Sequence, residues 1–388
     1  MSVTAPQGFV ASAVHAGIRK KERLDLALVR SLVPATGAGM FTVNRVQAAP
    51  VLLCKEHLGL AQPQAVVANS GIANAATGAQ GLHDARATAA EAAQALGLEP
   101  EQVLVLSTGV IGATLPLDDV LAGVRAAAGS LAPDGGKAAA EAILTTDTFA
   151  KQAVAHGDGF TVGGMAKGSG MIHPNLATML AVVTTDYPLE PGEAPAFLQP
   201  AVNTSFNAIS VDGECSTNDT VLLLANGASA IERTPASDEE LALCLRTVCG
   251  ELAKQIVADG EGATVLAEIA VTGAANDAEA RAIAERVATS PLVKTALHGH
   301  DANWGRIAAA AGSAKFNGGY AQLDPDTLTI VIDGVPVLVD GRPSGDEPAL
   351  TNGHCTIEIG LALGSGTASY LTTDLSYDYV RINAEYRS

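Results

Sequence analysis

Apolar residues along the chain come in short runs, each followed by small polar residues and then by helical spacing. In GAGMFTVNRVQAAPVLLC (37–54) two runs rich in apolar and β-branched residues predict strands. Ala65 to Ala68 predicts a buried strand, followed by a helix over about 81–97 with Gly97 as terminator. QVLVLSTGVIGATLP repeats the scheme: a buried strand from Val103 to Leu106, a turn at Ser-Thr-Gly, then helices over about 118–129 and 136–144. Further on, helices are expected through 197–210, over about 237–257 and over 276–290. The second of these carries Leu241, Leu245, Val248 and Leu252 at helical spacing. LTIVIDGVPVLVDG (328–341) predicts a hairpin, with Asp333-Gly334 between two alternating runs. A late strand, HCTIEIGLALG (354–364), precedes a polar tail, 376–388. Alternating strands and helices of this kind indicate an α/β protein.

The chain has 388 residues, which suits roughly two domains at about 150 residues each. Hydrophobic residues make up 48% and charged residues 16%, so a folded globular chain is expected. The formal net charge of −18 repels phosphate backbones, and no nucleic-acid partner is expected. Five scattered cysteines form no CxxC or Cys/His cluster and read as free thiols. HGHD (298–301) offers three potential ligands, but histidines at i and i+2 share a side only in an extended strand, and no metal is expected. MSVTAPQGFV lacks a basic segment followed by a long apolar one, and no apolar run approaches the ~20 residues of a membrane span. A soluble cytoplasmic protein without membrane contact is expected.

Three stretches carry candidate chemistry. GGMAKGSG (163–170) does not match a nucleotide-binding GxxxxGK[ST] loop. As a glycine-rich loop it would still let a ligand approach the backbone, and Lys167 could hold a carboxylate or simply be solvated on a turn. STGVIG (107–112) follows a strand. Its backbone N–H groups and the Thr108 hydroxyl could stabilise an oxyanion, or it could be an ordinary strand-to-helix turn. HPNLATMLAVVTTD (173–186) puts Thr178 at the entrance to an apolar run. Threonine is a good strand former, which is the plain reading. It is also a nucleophile when its own α-amine serves as base, and that requires the preceding peptide bond to be cut. Thr178 could do this itself: Oγ attacks the preceding carbonyl, the acyl group shifts from N to O, and water hydrolyses the ester. The small Ala177 leaves room for that attack.

MAKGSGMIHPNLATML, TTD (145–147), STGVIG, VDGECSTNDT and DANWGR together resemble the ornithine acetyltransferase family of arginine biosynthesis, also called glutamate N-acetyltransferase. The resemblance runs over nearly the whole chain, with Cys215 in GECSTND as a local variation. It implies an α-β-β-α sandwich, like N-terminal-nucleophile hydrolases in outline, over about 1–270. A smaller α/β domain would follow over about 271–375, and 376–388 would return to the active site. It implies self-cleavage between Ala177 and Thr178 into chains 1–177 and 178–388, assembled as a heterotetramer of two each. The implied reaction is ping-pong transfer of acetyl from N2-acetylornithine to glutamate through acetyl-Thr178. Thr108 and the Gly109 N–H would form the oxyanion hole. Thr145, Lys167, Thr178, Glu261, Asn383 and Ser388 would bind substrate. No cofactor is implied, and acetyl-CoA is a further possible acetyl donor. A self-processed amidase or aminopeptidase, with water as acceptor, is the alternative on a related fold.

Overall fold

The computed structural model describes residues 2–19, 22–173, 179–351 and 353–385. The chain divides into two compact units. Among the described residues, the first comprises 2–207 and 214–256, and the second comprises 208–213 and 257–385. Strand Val265–Ala274 lies in the second unit. It is central to that unit's sheet, because strands 353–360 and 366–373 hydrogen-bond along its two edges.

The first unit contains two sheets. One orders its strands Phe9–Val14, Leu26–Ser31, Ala65–Ile72 and Val103–Val110. The other runs Thr36–Phe41, Thr220–Ala225, Leu180–Thr185, Phe160–Lys167 and Lys151–Gly157. Side chains alternate between faces along a strand, and here both faces are apolar. Ala27, Val29, Leu104 and Leu106 pack with Met165, Val182, Leu222 and Leu224 of the other sheet. Leu26, Leu28, Val67, Val103 and Val105 point the opposite way, onto Ala89 and Ala93 of helix Gly78–Leu96 and Val120 and Val124 of helix Leu117–Ala128. On the outer face of the second sheet lie helix Ala194–Asn203 and helix Pro235–Ala258, the latter through Val248 and Leu252. This is the α-β-β-α arrangement that the sequence led us to expect.

The second unit is a seven-stranded mixed sheet covered on one face. Along Val265–Ala274, Val265, Ala267, Ile269 and Val271 are buried with Ile283 and Val287 of helix Asp277–Ala288, while the intervening residues are less buried. The Asn276 side chain accepts from Glu279 N at 3.0 Å and caps that helix. Strands Thr329–Ile332 and Val335–Val339 form the expected hairpin. Asp333 and Gly334 have φ of +47° and +77°, the left-handed pair of a type I′ turn.

Two expectations are corrected. The helix through 197–210 stops at Asn203, and Phe206–Ala208 forms a 3₁₀ turn. Past the helix end Thr204 and Ser205 turn their hydroxyls back to Pro200 and Ala201 carbonyls, which competes with helix continuation. Residues 376–388 do not begin as a polar tail, because Tyr377–Glu385 is helical. Its N–H at Tyr379 bonds the Ser376 hydroxyl, 3.1 Å away, in the manner of a cap. No described helix is long and apolar enough to cross a membrane.

Candidate active site

The expected turn at 107–112 is also corrected. The strand continues through Thr108 and Gly109 to Val110, and the next helix starts only at Leu117. The apolar run ends at Leu106, yet Ser107 and Thr108 remain buried strand residues. The polarity of Ser107 is satisfied by residues distant in sequence: Ser107 donates to Asn69 Oδ1 at 2.6 Å, and Asn218 Nδ2 donates to the carbonyls of Ser107 and Ala73 at 2.8 and 2.6 Å. Gly109 lies opposite Gly71 in the neighbouring parallel strand. Its φ is +133°, and a Cβ there would stand 2.2 Å from the Gly71 carbonyl carbon. Only glycine fits, so the backbone at Gly109 stays bare of side chain.

Lys167 does not stand in a glycine-rich loop either. It ends strand Phe160–Lys167, which contains Gly163 and Gly164. Those glycines reflect packing. A Cβ on Gly163 would meet the Ser2 carbonyl oxygen at 2.3 Å, and one on Gly164 would meet Val248 and Leu252 at 2.9 Å. The strand therefore carries Lys167 into the interior, where it is buried and donates to Thr108 Oγ1 across 3.4 Å. This distance makes the bond a long one.

Between these residues stands Asp147, which the sequence reading did not single out. Its Oδ1 accepts from Lys151 Nζ at 2.8 Å and from Gly168 N at 2.6 Å. Its Oδ2 accepts from Thr145 N at 2.9 Å and lies 3.9 Å from Lys167 Nζ. Burial pushes this carboxyl up. The charges of Lys167 and Lys151 and the bonds from Lys151 and Thr145 outweigh that and hold it well below the usual carboxylate range. Two residues nominated separately, Thr145 and Lys167, thus converge on one carboxylate, and Lys167 in turn reaches Thr108.

A second buried carboxyl, Asp219, shifts the other way. Burial raises it well above the ordinary value, against the Met179 N–H, the Lys167 charge and Ser216. Its Oδ1 accepts from Met179 N at 2.9 Å, at the start of strand Leu180–Thr185. Asp147 and Asp219 both lie in stretches that carry the family resemblance, TTD and VDGECSTNDT, but nothing in a sequence marks a carboxylate as buried.

Ala177 and Thr178 lie outside the described residues, as does Ser388. In the second unit, Glu261 Oε2 accepts from Asn383 Nδ2 at 2.8 Å. Helix Tyr377–Glu385 makes this possible. Ser376 donates to the Gly262 carbonyl at 2.6 Å, and a Cβ on Gly262, whose φ is +68°, would be 2.4 Å from Tyr379 N. His298 ends helix Pro291–His298, where its Nδ1 pairs with Asp374 at 2.8 Å, and His300 follows in a left-handed turn.

A family model described as the ArgJ family matches residues 10–388. The arginine biosynthesis bifunctional protein ArgJ of Symbiobacterium thermophilum is 48% identical, over all of this chain and 98% of its own length. Its counterpart from Streptomyces coelicolor is 45% identical, with both proteins fully covered. Among solved structures, ornithine acetyltransferase of Mycobacterium tuberculosis complexed with ornithine is 45% identical over 45% of this chain and 94% of that one, with a TM-score of 0.43. With a family model spanning nearly its whole length and relatives of this identity covering it from end to end, the chain belongs to the ArgJ family.

Proposed function

We propose that this chain is an acetyltransferase of arginine biosynthesis that moves acetyl from N2-acetylornithine to glutamate. It first cuts itself between Ala177 and Thr178. The freed α-amine, ordinarily near ~8, serves as base for the Thr178 hydroxyl at neutral pH. Thr178 Oγ attacks the acetyl carbonyl, and the Thr108 hydroxyl with the Gly109 N–H takes the negative charge on oxygen. Ornithine leaves, and an acetyl-threonyl ester remains. The glutamate amine then attacks the ester and restores Thr178, in a ping-pong cycle. Splitting one amide-to-amide transfer into two steps removes the need for a coenzyme.

The observation that carries this reading is the meeting of Thr108 and Lys167 beside Asp147 in a chain of this family. Both substrates present an α-carboxylate, and Lys167 is the group for it, with Thr145 beside it. Glu261 and Asn383, already bonded to each other, serve the substrate's ammonium end, and Ser388 completes the binding set. The relatives' designation as bifunctional supports acetyl-CoA as a second acetyl donor to glutamate. Chains 1–177 and 178–388 stay together as a heterotetramer of two each, in the cytoplasm.

Intact mass under denaturing conditions, with N-terminal sequencing, tests the first step. Two chains are expected, the second beginning at Thr178. Acetyl transfer from acetylornithine is then expected to require glutamate. A single uncut 39.2 kDa chain with transfer activity would refute the nucleophile. Release of free acetate at the same rate without glutamate would make the enzyme an amidase.

A further inference from the structure

We infer that Asp147 is a positioning residue of this site, whose carboxylate sets where Thr145 and Lys167 stand. The inference rests on the reading of those two as substrate-binding residues. A buried pair with Lys151 would occupy one carboxylate oxygen. Asp147 uses both. Oδ1 serves Lys151 and the Gly168 N–H; Oδ2 serves the Thr145 N–H and faces Lys167. Lys167 is thereby held from two directions, at its ammonium and at the amide that follows it. The second hold matters because the strand ends at Lys167, and Gly168 is the first residue beyond it. Lys151 is the outer support. It opens strand Lys151–Gly157 and pairs with Ala166 next to Lys167 in the sheet, and its charge adds to that of Lys167 in favouring the ionised carboxylate. A carboxylate accepts on both oxygens at once, and an amide does not. Asparagine at this position would turn an NH₂ group toward one pair of donors.

The experiment compares Lys151→Met with the double variant Lys151→Met/Asp147→Asn, which removes both charges of the pair together. Folding is read from urea midpoints, and KM for acetylornithine and glutamate from the transfer assay. Lys151→Met keeps the Thr145, Gly168 and Lys167 contacts, and KM for both substrates is expected within about twofold of wild type. The double variant is expected to raise both KM values about tenfold or more, the scale of one charge-assisted hydrogen bond, while self-cleavage still goes to completion. A folded double variant with wild-type KM overturns the inference. So does a tenfold rise in Lys151→Met alone, which would assign the effect to the Lys151 pair, and this arm decides the matter if the double variant does not fold. Calorimetric binding of glutamate and acetylornithine to the same proteins reads the inference independently of catalysis. Wild-type protein that binds both but transfers nothing would sink the proposed reaction and leave the role of Asp147 intact.

Discussion

Lys294 is a buried lysine whose cost can be measured. It is 4% exposed and donates to Thr372 Oγ1 and Thr373 Oγ1, each at 3.1 Å, and to the Thr373 carbonyl. Burial pulls its pKa down to about 7, against the charges of Asp374 and Asp212, which favour the ammonium. An unfolded lysine titrates near ~10.4. Between these values the unfolded chain binds more protons than the folded one, so the stability contributed by Lys294 rises with pH from about 7 to about 10. Linkage puts the gain at about 2 kcal/mol between pH 7 and pH 9. Lys294→Met removes the titration. Urea unfolding of wild type and variant at the two pH values isolates it, because other titrating groups cancel in the difference. The single tryptophan, Trp304, packs against the core of the same unit and reports its unfolding by fluorescence. Wild type is expected to gain about 2 kcal/mol on the variant from pH 7 to pH 9. A difference that is constant with pH would mean that Lys294 stays charged in the folded protein, and the reasoning from burial would be refuted.

Gly109→Ala places a Cβ against the Gly71 backbone at positive φ and is expected to cost at least about 2 kcal/mol in urea unfolding; unchanged stability would contradict the strand pairing. Thr108→Val removes the proposed oxyanion donor, so kcat should fall by about 10²-fold, with Thr108→Ser restoring most of it. Equal kcat in Val and Ser variants would dismiss the hydroxyl. Glu261→Gln should raise KM for acetylornithine more than KM for glutamate, and equal effects would remove its ammonium role. Asn276→Ala deletes the cap of helix Asp277–Ala288 at a cost of about 1 kcal/mol; a midpoint equal to wild type would show that other groups take over the Glu279 N–H.

Local interactions made much of this protein legible in its sequence. Asp333-Gly334 between alternating runs could only be a tight hairpin, since few residue pairs accept two successive positive φ values. Apolar runs marked the sheet cores, and Gly97 marked a helix end, which it closes at φ +68°. The family motifs named Thr108, Thr145 and Lys167. Their meeting point was invisible, because Asp147 touches Gly168 and Lys167 only through strands brought together by folding. Polarity misled at Ser107 and Thr108, which read as a turn until residues distant in sequence, Asn69 and Asn218 for Ser107 and Lys167 for Thr108, supply the bonds that let them remain in a buried strand. Glycine misled at 163 and 164, where the Ser2 backbone and the side chains of Val248 and Leu252 leave no room for a Cβ, and no local pattern records that closeness. The opposite shifts of Asp147 and Asp219 follow from burial and from the placement of two lysines, quantities that depend on distance in space rather than along the chain.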